Sequence, residues 1–135
     1  MVQNAARIFG IVYLLIGVLG FVPGLVTPMS DPGMGGMGLL LGLFPINALH
    51  NIVHILVGIG GLALAGSLGG ARSYFKALAI VYGLLTVLGL IPATSTVFGL
   101  VPLGSWDIGL HLVTAALAGY FGFVAVSETT TNRIA

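Results

Sequence analysis

Long runs of apolar residues alternate with short polar stretches along this chain. Four of the runs lie at about 6–26, 46–69, 74–94 and 105–126. Each is close to the roughly 20 residues that a helix needs to cross the hydrocarbon core of a bilayer. The pattern therefore predicts four transmembrane helices. Arg7 precedes the first run as in a signal peptide, but no small-x-small cleavage site follows, so we expect this helix to be retained.

The basic residues are placed unevenly between these runs. Arg7 is placed before the first helix, Arg72 and Lys76 between the second and the third, and Arg133 after the fourth. An even number of spans puts all four on the same side of the membrane. Because Lys and Arg are enriched in cytoplasmic loops, both termini are expected to face the cytoplasm.

The chain contains an internal repeat. The stretch "RIFGIVYLLIGVLGFVP" from Arg7 aligns without gaps with "KALAIVYGLLTVLGLIP" from Lys76, including Tyr13 with Tyr82. Likewise, "GLFPINALHNIVHIL" from Gly42 aligns with "GLVPLGSWDIGLHLV" from Gly99. We therefore predict one membrane domain, 1–135, built as a four-helix bundle from two tandem two-helix repeats, about 6–69 and 74–126, with a polar tail at 127–135. Two spans per repeat give both copies the same orientation.

The amino-acid composition is typical of a protein in a bilayer, and it excludes several classes of function. The chain is 58% hydrophobic and 5% charged, whereas in soluble domains about a quarter of the residues are charged. Its formal net charge of +1 predicts no nucleic-acid partner. It has no cysteine, which excludes disulfides, thiolate metal sites and cysteine nucleophiles.

Small residues recur at helical spacing below two equivalent histidines. Residues at steps of three and four share one helix face, and small side chains mark contact seams between membrane helices. The two predicted stripes are His54, Gly58, Gly61 and Ala65, and His111, Ala115, Ala118 and Gly122.

Polar residues inside the predicted spans are few, and they cluster in the outer third of the membrane. They are Asn47, His50, Asn51 and His54 on the second helix, and Trp106, Asp107 and His111 on the fourth. Asn47 is expected to cap its helix, Trp106 to be an interfacial anchor, and Asp107 to suit the positive end of the helix. His50 is expected to be solvated or hydrogen-bonded. In the repeat alignment His50 matches Asp107, so symmetric packing would bring these groups together.

His54 and His111 are the strongest candidates for a function, since ionisable groups within spans usually face the interior of the bundle. One interpretation is that they hydrogen-bond between helices and fix helix register. Another is that they are the axial ligands of a haem b, or that each binds a chlorophyll magnesium. Two histidines with Asp107 are enough in number for zinc, although no second-shell partner is evident. No cofactor is predicted, and the presence of a metal is left open.

Four stretches together resemble a known family. They are "RIFGIVYLLIGVLGFVPGL", "GLLLGLFPINALHNIVHILVGIGGLA", "LAIVYGLLTVLGLIP" and "DIGLHLVTAALAGYFGF". They resemble small bacterial membrane proteins of domain-of-unknown-function family 4383, with cyanobacterial members most similar. The resemblance implies four membrane helices in a bacterial inner membrane, or in a thylakoid membrane if the source is cyanobacterial. It implies no reaction and no ligand.

No catalytic set is evident, because the three acidic residues, Asp31, Asp107 and Glu128, fall in separate regions. We therefore expect a non-enzymatic scaffold or accessory subunit of a larger membrane assembly, embedded in lipid and of undetermined oligomeric state. The alternatives are a haem- or chlorophyll-binding bundle that uses His54 and His111, and a small proton-linked permease.

Overall fold

Four α-helices make up most of the fold. The structure is a computed structural model that describes residues 1–29, 37–104 and 106–125. The helices are α1 (Val2–Leu19), α2 (Ala48–Leu64), α3 (Leu68–Leu90) and α4 (Trp106–Gly119), and a π-helical turn, Tyr120–Val124, continues α4. The predicted polar tail, together with Asp31, Glu128 and Arg133, lies outside the described residues.

The helices are of the kind expected of a membrane protein. Within the described ranges, three helical segments are long and apolar enough to cross a membrane: Val2–Leu19, Leu68–Leu90 and Trp106–Val124. Helix α2 is equally apolar but has 17 residues. At 1.5 Å per residue it is about 25 Å long, slightly less than a hydrocarbon core of about 30 Å.

The connection between α2 and α3 differs from the sequence-based prediction. We expected α2 to reach residue 69 and α3 to begin at residue 74, but α3 begins at Leu68. The Ser67 side chain caps it by accepting a 3.0 Å hydrogen bond from the Gly70 amide. Arg72 and Lys76 consequently lie on α3 and not in a loop, so their placement between the helices was wrong.

Both basic side chains contact the end of α4. The Arg72 guanidinium donates a 2.6 Å hydrogen bond to the Ala125 carbonyl, and the Lys76 ammonium lies 5.4 Å from the centre of the Phe123 ring. A guanidinium satisfies a carbonyl that a helix end leaves without a partner. These contacts explain how two charged residues are accommodated on an apolar helix.

A small antiparallel sheet, which was not predicted, follows α1. Its strands are β1 (Val26–Pro28), β2 (Gly38–Leu40) and β3 (Phe44–Ile46), in the order β1-β2-β3. Three-residue strands are too short to produce a recognisable alternation of polar and apolar residues. We call the end of the bundle that carries this sheet the sheet end.

Close helix pairs form the core, as the small-residue stripes predicted. A Cβ atom on Gly58 of α2 would lie 2.5 Å from the Leu14 backbone nitrogen and 2.8 Å from the Gly10 carbonyl oxygen, both on α1. On the π-helical turn that continues α4, a Cβ atom on Gly122 would lie 2.9 Å from the backbone nitrogen of Lys76 on α3. The backbones of α1 and α2, and of α3 and α4, therefore approach closely at these glycines.

Candidate functional site

Three buried histidines meet at the sheet end of the bundle. His50 and His54 come from α2 and His111 from α4, and they can offer ligand atoms that all lie within 4.8 Å of one another. Their exposed fractions are 3%, 3% and 1%. We call these three residues the histidine cluster. His50 was expected to be solvated or hydrogen-bonded, and its burial contradicts only the first of these. The predicted convergence of the histidines is present.

The start of α2 positions two members of the cluster. The Asn47 side chain accepts a 2.9 Å hydrogen bond from the His50 amide, which confirms the predicted cap. The same side chain donates a 2.8 Å hydrogen bond to the Leu100 carbonyl in the segment before α4. Because His50 and His54 are four residues apart, they lie on the same helix face. Asn47 therefore ties this face to the connection that leads into α4.

Asp107 lies behind the histidine cluster. It is 1% exposed, and its Oδ1 lies 3.7 Å from the Nε2 of His111, a separation longer than a hydrogen bond. Asp107 is in the first turn of α4, where the positive end of the helix favours a carboxylate. The carboxylate therefore lies on the Nε2 side of the His111 ring.

Two tyrosines pack edge-on against the cluster. Tyr13 of α1 contacts His54 with ring centres 5.3 Å apart, and Tyr82 of α3 contacts His111 at 5.0 Å. The two tyrosine rings are 5.5 Å apart, and the Tyr13 hydroxyl hydrogen-bonds Thr114 at 2.7 Å. The sequence analysis did not include either tyrosine in the site. Their identity in the repeat alignment, on otherwise apolar helices, was the available signal.

Two other predicted residues lie away from the cluster. Asn51 donates a 2.8 Å hydrogen bond to the Gly20 carbonyl at the end of α1, so it joins α1 to α2. Trp106 is 66% exposed, as suits the interfacial anchor that we predicted.

The histidine cluster leaves polar atoms without partners. Among the residues that the structure describes, the Nδ1 atoms of all three histidines and the Oδ2 of Asp107 are buried and have no hydrogen-bond partner. An unsatisfied buried polar group costs about 1–3 kcal/mol, so the three nitrogens together cost about 3–9 kcal/mol. The net stability of a protein is only about 5–15 kcal/mol. A ligand that bonds all three nitrogens would remove this cost.

Cavities adjoin the cluster on two sides. One, of about 240 Å³, is lined by all three histidines, Tyr82 and apolar residues of α2, α3 and the segment 97–103. The other, of about 180 Å³, lies between α1, the sheet and α4, and it is lined by His54 and Asp107 together with apolar residues. The cluster is therefore the polar part of an otherwise apolar interior.

The chain was compared with known families, curated proteins and solved structures. A family described as "Domain of unknown function (DUF4383)" matches residues 3–124. The chain belongs to this family. No match to it is found among the curated proteins or the solved structures. The family match confirms the resemblance seen in the sequence and assigns neither a reaction nor a ligand.

Proposed function

We propose that this DUF4383 protein is a membrane-embedded binding protein for a divalent transition-metal ion, held by His50, His54 and His111. The observation that carries the proposal is the convergence of three buried histidines, which offer one ring nitrogen each within 4.8 Å of one another and whose Nδ1 atoms have no hydrogen-bond partner. Imidazole suits zinc, copper, nickel and iron, whereas magnesium and calcium prefer oxygen ligands.

The geometry of the cluster is compatible with a tetrahedral ion. Zinc–nitrogen bonds of about 2.0–2.1 Å place tetrahedral ligand atoms about 3.4 Å apart. The candidate ligand atoms lie within 4.8 Å of one another, so the rings need to converge by about 1.4 Å at most. Small side-chain rotations can supply this movement. Three protein ligands leave a fourth position for another molecule.

Asp107 supports the same assignment. A metal-bound histidine usually directs its second nitrogen towards a carboxylate, a carbonyl or water. Asp107 lies on the Nε2 side of His111 at 3.7 Å, and the Nδ1 on the other side of the ring has no partner. From the sequence, zinc was disfavoured because no residue was evident to support the outer nitrogen of a bound histidine. The Asp107 carboxylate lies on that side of His111, although at 3.7 Å it is beyond hydrogen-bond distance, and its negative charge offsets part of the charge of the ion.

The other proposed functions receive less support from the site. A haem or chlorophyll ligated by His54 and His111 stays a prediction. The structure brings three histidines together, whereas a haem takes two axial ligands, and this favours an ion over a macrocycle. The scaffold or accessory role, the permease alternative and the absence of enzymatic activity also stay predictions.

We further infer that the bundle consists of two tandem repeats. The contact of Tyr13 with His54 and the contact of Tyr82 with His111 join equivalent positions of the repeat alignment, and both are edge-on. The equivalent glycines Gly42 and Gly99 both adopt positive φ angles, 71° and 84°. We also propose that both termini face the cytoplasm, on the basis of the charge pattern. The family resemblance supports a location in a bacterial inner membrane or a thylakoid membrane.

Metal analysis tests the proposed function directly. The protein is purified in mild detergent with an affinity tag that lacks histidine, because a polyhistidine tag would itself bind the ions. Zinc is then added, unbound ions are removed, and the bound metal is measured by mass spectrometry. We expect about one ion per wild-type chain and a loss of at least about tenfold in affinity for His54→Ala and for His111→Ala.

A matched variant and a spectroscopic measurement complete the experiment. Trp106→Phe changes an exposed residue at the same end of the bundle and should bind metal as the wild type does. Cobalt bound by the cluster should give the visible absorption of tetrahedral Co²⁺. The proposal fails if folded wild-type protein binds none of zinc, cobalt, nickel or copper, or if both histidine variants bind like the wild type.

A further inference from the structure

Two lengthwise grooves lie on the outside of the bundle, and they occupy equivalent places in the two repeats. One runs between α2 and α3, and the other runs between α1 and α4. The repeat alignment pairs each residue that lines the α1–α4 groove with a residue that lines the α2–α3 groove, as in Val12 with Val81 and Leu110 with Val53. The two grooves can therefore be compared position by position.

The grooves differ in size for an identifiable reason. The α2–α3 groove has a volume of about 340 Å³ and the α1–α4 groove about 190 Å³. The larger groove has Gly60 where the smaller one has Leu117, and Ala77 where the smaller one has Ile8. A Cβ atom on Gly60 would lie 3.9 Å from its nearest neighbour, in the Tyr74 ring, so close packing does not require glycine here. The space beside Gly60 is specific to one of two otherwise equivalent surfaces.

The larger groove leads to the histidine cluster. It shares Val53, Val81, Tyr82 and Leu85 with the cavity of about 240 Å³ that the three histidines line. His50 and Gly60 are ten residues apart on α2, so the path is about 15 Å long. It is apolar along its length, and at one end it adjoins the cavity that the three histidines line. This is the shape of a binding site for a single hydrocarbon chain with a small polar head group.

We propose that the α2–α3 groove binds the hydrocarbon chain of a long-chain fatty acid, and that its carboxylate takes the fourth position on the ion held by the histidine cluster. The proposal rests on the proposed function, because the bound ion supplies the positive charge that the carboxylate needs. An ion of charge +2, three neutral imidazoles, the Asp107 carboxylate and one fatty-acid carboxylate have no net charge. Neutrality matters because an uncompensated charge is costly within a membrane.

Palmitate is the probe for this inference, and Gly60→Leu is the decisive variant. The substitution copies Leu117 of the smaller groove and fills the space beside residue 60. Gly109→Leu is the matched control, because Gly109 is exposed on α4 and a Cβ atom there would have no neighbour within 4 Å. Binding of radiolabelled palmitate is measured in detergent with the zinc-loaded protein. Displacing about two methylene groups should weaken palmitate binding about tenfold in Gly60→Leu, with Gly109→Leu unchanged.

Zinc content is measured in the same samples, so the two proposals can fail separately. Unchanged zinc binding with weakened palmitate binding in Gly60→Leu supports the inference. Equal palmitate binding by Gly60→Leu and wild type overturns it. Tighter binding of an isoprenoid quinone than of palmitate by the wild type also overturns it. If zinc-free wild type binds palmitate as tightly as the loaded protein, the head-group assignment is wrong while the metal site stands. A wild type that binds no metal refutes the proposed function before any fatty acid is added.

Discussion

Two glycines on different faces of α2 should respond differently to the same substitution. In Gly58→Ala the new Cβ would lie 2.5 Å from the Leu14 backbone nitrogen, whereas ordinary contacts begin at 3.4 Å. The backbone of α1 would have to move away by the difference, 0.9 Å. Overpacking of this kind costs about 1–3 kcal/mol. In Gly60→Ala the Cβ has its nearest neighbour at 3.9 Å, so the higher helix propensity of alanine, about 0.8–1 kcal/mol, is gained without a clash.

The helix propensity of alanine is gained in both variants, so they should differ in unfolding free energy by the overpacking cost, about 1–3 kcal/mol, with Gly58→Ala the less stable. Unfolding is driven by sodium dodecyl sulfate in mixed micelles and followed by far-ultraviolet circular dichroism, which reports helix content. Gly109→Ala is the reference for alanine on an exposed helix surface, since a Cβ atom there would have no neighbour within 4 Å. Equal stability of Gly58→Ala and Gly60→Ala would refute the close backbone contact between α1 and α2.

Three further predictions concern the site and the topology. Tyr13→Phe and Thr114→Val each remove one partner of a 2.7 Å hydrogen bond, so a double-mutant cycle of unfolding free energies should give a coupling of about 0.6–2 kcal/mol. Asp107→Asn removes the carboxylate beside His111 and should weaken zinc binding about 10–100-fold in a competition titration. The natural chain has no cysteine. With cytoplasmic termini, Gly66→Cys should therefore react with an impermeant maleimide only after cells are opened, and Leu100→Cys in intact cells.

Each of these predictions has a contradicting result. Additive effects of Tyr13→Phe and Thr114→Val would show that their hydrogen bond contributes no coupling. Wild-type zinc affinity in Asp107→Asn would remove the carboxylate from the metal site, provided that circular dichroism shows an unchanged fold. Labelling of Gly66→Cys in intact cells, with Leu100→Cys protected, would reverse the proposed orientation.

The helices and their contact seams could be predicted because their causes are local. Runs of apolar residues and the spacing of Gly58 and Gly61 are properties of single segments. The Asn47 cap likewise depends on residues within one turn, and it was predicted correctly. The boundary between α2 and α3 was harder to predict, because both sides of it are apolar. The Ser67 side chain caps the start of α3 there. The contacts of Arg72 and Lys76 with the end of α4 stabilise the first turns of α3.

The candidate site was predicted only in part. His54 and His111 were identified as a pair by the repeat. The burial of His50 depends on how α2 packs against α4 and on the Asn47 bond to Leu100, which joins residues 53 positions apart. The roles of Tyr13 and Tyr82 likewise depend on neighbours from other helices. Such contacts leave no periodic signal in the sequence.

The sequence by itself determined that this chain forms apolar helices suited to a bilayer, that small residues mark their contacts, and that two histidines occupy equivalent positions. These properties follow from composition and from spacing along single helices. Only the tertiary structure decided that His50 joins the other histidines, that Asp107 lies behind His111, and that Gly60 opens one of two equivalent grooves. The physical reason is that each of these features needs side chains from separate helices in one place, and their separation is set by backbone packing and loop geometry.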